Sequence, residues 1–160
     1  GAAPRLYGAQ AEGCAPIVRL VQRGGARIEP VIPNTVARSL AIGNPADGLL
    51  ATAAIKESAG WAAAVTDQEL VQGIRLLAEA SGVFTETAGG VTVAAALSLA
   101  SPGHFRADDE VVLCITGNGL KTTDVLTDTV DFGAVIEPRI REVAALVENA
   151  TQRATVGAQL

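Results

Sequence analysis

The chain has 160 residues, about one ordinary domain, and is 49% hydrophobic, 18% charged and 3% aromatic, which excludes disorder as its main state and suits an α/β interior of small aliphatic side chains. A net charge of −5 and a sequence pI of about 4.8 argue against a nucleic-acid partner, which needs a concentrated basic surface, whereas the ten arginines here are scattered. No window reaches the roughly 18 uncharged apolar residues of a membrane span, and no basic segment leads into an apolar run at the N-terminus, so neither a membrane partner nor a secretory leader is expected.

Arg5 to Ala9 predicts a short strand. A helix follows from Pro16, which suits a first turn, to Gln22, with Ile17, Leu20 and Val21 on one face and the Gly24-Gly25 pair as its stop. Ile28 to Pro45, broken by Pro30, Pro33, Gly43 and Pro45, predicts an extended loop. Ala46 to Ser58 predicts a helix with Leu50, Ala53, Ala54 and Glu57 on one face, and Trp61 to Val65 a short strand. In the next helix Thr66 is the N-cap and Glu69 completes a capping box. Leu70, Ile74, Leu77 and Ala78 form its inner face, and Gly82 is its left-handed stop.

Val83 to Thr85 predicts a brief strand, and Gly89 to Ala100 a helix so apolar all round that it belongs between layers. Glu110 to Ile115 is an unbroken β-rich apolar run, the pattern of a central parallel strand, opening into Thr116-Gly117-Asn118-Gly119. Val130 to Ile136 is expected as an edge strand. Pro138 to Glu148 is expected as a helix with Ile140, Val143, Ala144 and Val147 inward, and the tail from Ala150 as frayed. Strands alternating with helices imply a three-layer αβα fold with a mainly parallel sheet, held in one partial domain over residues 1–160. The chain contains no methionine and begins Gly-Ala-Ala-Pro, so it is expected to be a fragment, either natural or engineered.

In open parallel sheets ligands sit outside the carboxyl ends of the strands, which singles out the glycine-rich loops 43–47, 86–90 and 116–122. Glycine there either lets backbone approach a ligand or merely shapes a short turn. His104 follows Pro102-Gly103 in a polar loop and reads as solvated, and Asp108, Asp109 and Glu110 as a solvated acidic turn. Cys14 and Cys114 lie far apart, with His104 as the sole further soft ligand, so no metal site is expected and two reduced, mostly buried thiols of a cytoplasmic protein are. No G-x-S-x-G elbow surrounds any serine, which removes the usual anchor for hydrolase chemistry.

Four segments, YGAQAEGCAPIV (Tyr7 to Val18), ARSLAIGNPADG (Ala37 to Gly48), GVFTETAGGVTVAA (Gly82 to Ala95) and VVLCITGNGLKT (Val111 to Thr122), occur in order and together carry a resemblance. They resemble the carboxyl-terminal part of the threonine synthase family, within the tryptophan-synthase β-like pyridoxal-phosphate enzymes. The resemblance implies conversion of O-phospho-L-homoserine and water to L-threonine and phosphate, by lyase chemistry on pyridoxal 5'-phosphate. It implies that the Thr116 hydroxyl meets the cofactor's pyridine nitrogen, that Gly117 and Asn118 lie beside the ring edge, and that Glu86, Ala88 and Gly89 form the Glu-x-Ala-Gly-Gly turn near it. Thr87 stands where that turn commonly has proline. Gly43, Asn44 and Pro45 match a loop near the active-site mouth.

The resemblance also implies that the Schiff-base lysine and the phosphate cradle belong upstream of residue 1, leaving no catalytic residue in this chain. Lys56 and Lys121 are then both solvated, and the chain alone is inactive until its amino-terminal half and a homo-oligomer complete it. Threonine dehydratase, cysteate synthase and a non-catalytic small-molecule-binding module are the alternative functions. Truncation leaves Val111, Val112, Leu113, Val93 and Leu97 expected near an uncovered apolar face.

Overall fold

The computed structural model describes residues 3–127 and 135–157, with side chains through residue 148. Two compact units emerge, Gly1–Thr127 and Asp128–Leu160.

In the first unit, β1 (Gly8–Ala11) leads to α1 (Pro16–Arg23), and α2 (Gly48–Glu57) leads to β2 (Ala62–Val65). The two strands pair in parallel, Gly8 with Ala62 through Ala11 with Val65. Alternation along β2 sorts the core into two halves, because successive side chains point to opposite faces. Ala62 packs with Val18, Val21 and Ile55 of α1 and α2, whereas Ala63 and Val65 pack with Leu70, Ile74, Val91 and Ala95 of the following helices. Those helices are α3 (Asp67–Ser81) and α4 (Thr87–Ala100), with α4 directly against both strands and α3 against α4. The result is the three-layer αβα arrangement around a parallel sheet. Full burial of Leu70 and Ile74 contributes about 1.5–3 kcal/mol each to holding the outer layer.

Local chemistry explains the element ends. Gly24 and Gly25 take φ of +77° and +122° after α1, and Gly82 closes α3 at φ +72°, a region open to glycine at little cost. At the start of α3 the Thr66 hydroxyl accepts from the Glu69 N–H at 3.2 Å while the Glu69 carboxylate accepts from the Thr66 N–H at 2.7 Å. Thr66→Ala is expected to cost about 1 kcal/mol, read as a lower urea midpoint with an unchanged m-value. An unchanged midpoint would show that tertiary packing alone fixes this end.

The α3–α4 crossing is tight because glycines face one another. A Cβ on Gly73 would lie 2.5 Å from the Gly90 carbonyl oxygen, and one on Gly90 would lie 2.4 Å from that of Leu70. This closeness accounts for the apolar character of α4, whose Val91, Val93, Ala94, Ala95 and Leu99 are all buried. Val93 therefore belongs to the core, contrary to its expected place on an uncovered face. Leu97 is exposed as expected.

Further expectations need correction. Residues 110–115 join no ladder among the described residues, and Val111, Val112 and Leu113 are exposed. An unbroken apolar run of high β propensity suits a strand, but a strand also needs partners for its N–H and C=O groups, and among the described residues β1 and β2 pair with each other alone. Residues 83–85 likewise form no strand; Thr85 makes a single antiparallel bridge to Asn118. In α2 the buried stripe is Gly48, Thr52 and Ile55, while Leu50 is 71% exposed. Alanine on all sides offers several stripes of similar hydrophobicity, and the β-branched Ile55 selects the one that packs on Ala62. His104 is half-buried rather than solvated, its ring stacked on Trp61 at 5.8 Å.

The second unit contains α5 (Ile140–Gly157), a longer helix than residues 138–148. Ile140, Val143, Ala144 and Val147, expected inward, are exposed; among the described residues of that unit α5 is the one regular element. Most of the edge strand expected over 130–136 lies outside the described residues, and 135–136 carry no regular structure. No helix among the described residues is long and apolar enough to cross a membrane.

Candidate functional site

The contacts of α4 give the site its place in the fold. His104, just beyond the end of α4, offers its backbone carbonyl to the Tyr7 hydroxyl at 3.1 Å and its ring to Trp61. Tyr7 and Trp61 immediately precede β1 and β2, so α4 ends at the amino edge of the sheet. Its own first turn, about 20 Å away at 1.5 Å per residue, points toward the carboxyl edge, where ligands bind in open α/β sheets.

That first turn meets the loop 116–122. The Gly119 N–H donates to the Phe84 carbonyl at 3.1 Å and the Glu86 N–H to the Gly117 carbonyl at 3.3 Å. The Thr85 hydroxyl reaches the carbonyls of Gly117 and Thr116 at 3.3 and 3.5 Å. The Thr122 hydroxyl accepts from the Thr87 N–H at 3.2 Å, which partners one of the otherwise free donors at the start of α4. Asn118 turns the loop by accepting from the Leu120 N–H at 2.9 Å.

Glu86 is the charged centre of this contact. Its side chain is 7% exposed and its carboxylate pairs with the Lys121 ammonium at 2.6 Å. A buried carboxylate without such a partner would be costly, and the amino end of α4 adds a favourable dipole. The Lys121 side chain remains 61% exposed, but it is an ion-pair partner and not simply a solvated lysine. Gly117, at φ +72°, passes so close that a Cβ there would sit 2.0 Å from Glu86 Oε1. A Cβ on Gly89 would sit 2.0 Å from the Thr85 hydroxyl.

Glu86, Gly89, Gly117 and Asn118 are thus brought together, with Ala88 on the adjoining turn and Thr116 at its edge. Phe84 and Thr85, which the sequence did not single out, complete the cluster with Thr122 and Lys121, the latter expected as solvated. The available signal was the row of threonines flanking each glycine turn, since hydroxyls tie such turns together. Gly43, Asn44 and Pro45 lie elsewhere: the Gly43 carbonyl accepts from the Val31 N–H at 3.0 Å, and no hydrogen bond among the described residues links this loop to Glu86 or Gly117. Cys14 is buried, and burial pushes its thiol pKa up, partly opposed by Arg19. Cys114 is exposed, residues 110–115 having no sheet partner among the described residues, which corrects the expectation of two mostly buried thiols. The acidic turn is tied down: Asp108 pairs with Arg106, and Asp109, held below its usual pKa chiefly by the Arg106 N–H, also pairs with Arg5.

Two polar groups here are free to serve a ligand. The Thr116 hydroxyl is exposed and makes no hydrogen bond among the described residues, and Thr87 Oγ1 is buried without a partner. A neutral hydroxyl beside a glycine turn is the donor set that suits a flat heteroaromatic ring with a nitrogen acceptor.

The sequence of this α/β unit matches the family described as pyridoxal-phosphate dependent enzyme over residues 1–117. The chain belongs to that family, which implies a pyridoxal-phosphate cofactor, and the unpartnered hydroxyls of Thr116 and Thr87 can serve such a group. Threonine synthase of Methanosarcina acetivorans is 36% identical over 138 residues, 86% of this chain and 34% of its own length. Threonine synthase of Methanocaldococcus jannaschii is 38% identical over 122 residues, 76% of this chain and 30% of its own. The chain therefore spans about a third of the length of these relatives. Among solved structures, a threonine deaminase of T.th. aligns with a TM-score of 0.49 at 17% identity, covering 68% of this chain and 41% of that one.

Proposed function

We propose that this chain forms one wall of the cofactor site of an enzyme that makes L-threonine and phosphate from O-phospho-L-homoserine and water. The observation that carries this reading is the 36–38% identity to threonine synthases along most of the chain. Bound pyridoxal phosphate supplies an electron sink for carbanions of the substrate. The chain's own part is orientation. The Thr116 hydroxyl would meet the pyridine nitrogen and, unlike a carboxylate, would not hold a proton on it. Gly117 and Asn118 would let the loop lie along the ring edge, and the Glu86–Lys121 pair holds that loop against α4.

Lys56 is exposed on α2 and Lys121 is engaged by Glu86, so neither is assigned to the cofactor. We assign the anchoring lysine and the phosphate cradle to the part of the enzyme that this chain does not span, and the chain alone is then inactive. The exposed Val111, Val112 and Leu113 are the face which that part, in a homo-oligomeric enzyme, would cover.

The test is phosphate release from O-phospho-L-homoserine by the intact enzyme. Thr116→Val keeps the β-branched shape and removes the hydroxyl. It is expected to lower kcat about tenfold or more, as losing one buried hydrogen bond of about 1–3 kcal/mol requires. Unchanged kinetics in this variant would rule out the role of Thr116, and no phosphate release by the wild-type enzyme would overturn the reaction itself.

A further inference from the structure

A second polar site lies at the other end of the sheet. Gln22, near the end of α1, donates to the carbonyl of Ala62 at the start of β2 at 3.0 Å, so α1 finishes at the amino edge of the strands, opposite to the Glu86 cluster. A cavity of about 240 Å³ opens there, lined by Arg19, Arg23, Gly24, Gly25, Arg27 and Glu29 among others. Arg5, Arg38, Arg75, Arg106 and Arg141 each pair with a carboxylate. Arg19, Arg23 and Arg27 make no ion pair or side-chain hydrogen bond among the described residues, although the chain carries 17 Asp and Glu.

The dipole at the end of α1 accounts for one cation in its last turn, Arg23. It does not account for Arg27, which is past the helix and returns to the same cavity through two successive glycines at φ +77° and +122°. Beyond that turn the N–H groups of Gly25, Ala26 and Arg27 donate to no group among the described residues. Arg19, Arg23 and Arg27, all exposed, line one cavity beside free backbone donors, a concentration of positive charge that favours an anion, and guanidinium forks match the oxygens of phosphate. The Glu29 carboxylate in the lining offsets one of the three positive charges, so a dianion brings the site to neutrality.

We propose that this cavity binds a phosphate dianion, either free phosphate or the phosphoryl group of a small monoester, at a site separate from the cofactor cluster. Isothermal titration of the intact enzyme with inorganic phosphate and with glycerol phosphate, at constant ionic strength, tests it. Arg23→Gln and Arg27→Gln are each expected to weaken one binding event about tenfold or more, and Arg75→Gln, remote from the cavity, to leave it unchanged. Glu29→Gln is expected to tighten it severalfold, an effect in the opposite direction that general destabilisation cannot produce. Tighter binding of glycerol phosphate than of phosphate identifies a monoester, and the reverse order identifies free phosphate. If every variant binds both probes as the wild type does, the site is not there.

Discussion

Replacing Gly73 with alanine in the full chain is expected to cost about 2–3 kcal/mol and to lower Tm by roughly 4–10 °C. The sign is informative, because glycine to alanine inside a helix ordinarily stabilises by about 0.5–1 kcal/mol. Here the new Cβ would stand 2.5 Å from the Gly90 carbonyl oxygen and 3.2 Å from the Ala94 nitrogen, both backbone atoms that no rotamer change can move. The helices must separate, and Val91 and Ala95 on α4 lose contact with Ile74. Gly82→Ala is the control: a Cβ there meets nothing within 4 Å but sits at φ +72°, so it should cost only about 1–2 kcal/mol, from conformation alone. A Gly73→Ala chain that melts at or above the wild-type temperature would show that the helix crossing is loose.

The helices were legible from sequence because their signals are local. The Thr66–Glu69 capping box, the Gly24-Gly25 and Gly82 stops and the apolar perimeter of α4 each act within a few residues, and each is realised. The strands were not equally legible. β1 falls at Gly8–Ala11 instead of Arg5–Ala9, since parallel register is set by the partner strand, and Ala11 must face Val65. Residues 110–115 have every local mark of a central strand, but pairing is a property of two segments, and one segment cannot report its neighbour. The site follows the same division. Glu86, Gly89, Gly117 and Asn118 were marked by glycine spacing and by family resemblance, whereas the partnership of Lys121 with Glu86 depends on a turn that folds residue 121 back over residue 86. Nothing in the spacing of two charged residues that far apart encodes that approach. The arginine cavity was hidden for a related reason: ten scattered arginines reveal a cluster only once the pairing of the others is known.

Gly117→Ala is expected to be the most damaging single-methyl change at the Glu86 cluster. Two costs add there. Alanine at φ +72° costs about 1–2 kcal/mol against glycine, and its Cβ would stand 2.0 Å from Glu86 Oε1 and 2.2 Å from Cδ. The carboxylate can yield only by leaving Lys121, and a buried carboxylate parted from its cation costs about 3 kcal/mol or more. Together these predict a loss of about 4 kcal/mol, read from urea unfolding of the intact enzyme. A double-mutant cycle separates the two costs. In a Glu86→Ala background the carboxylate is gone, and Lys121, with its side chain 61% exposed, can return to water. Gly117→Ala should then cost only its conformational share of about 1–2 kcal/mol. An equal cost in both backgrounds would mean that the glycine serves the left-handed turn alone, and the close approach of Glu86 to the loop would carry no weight in holding residues 116–119 against α4.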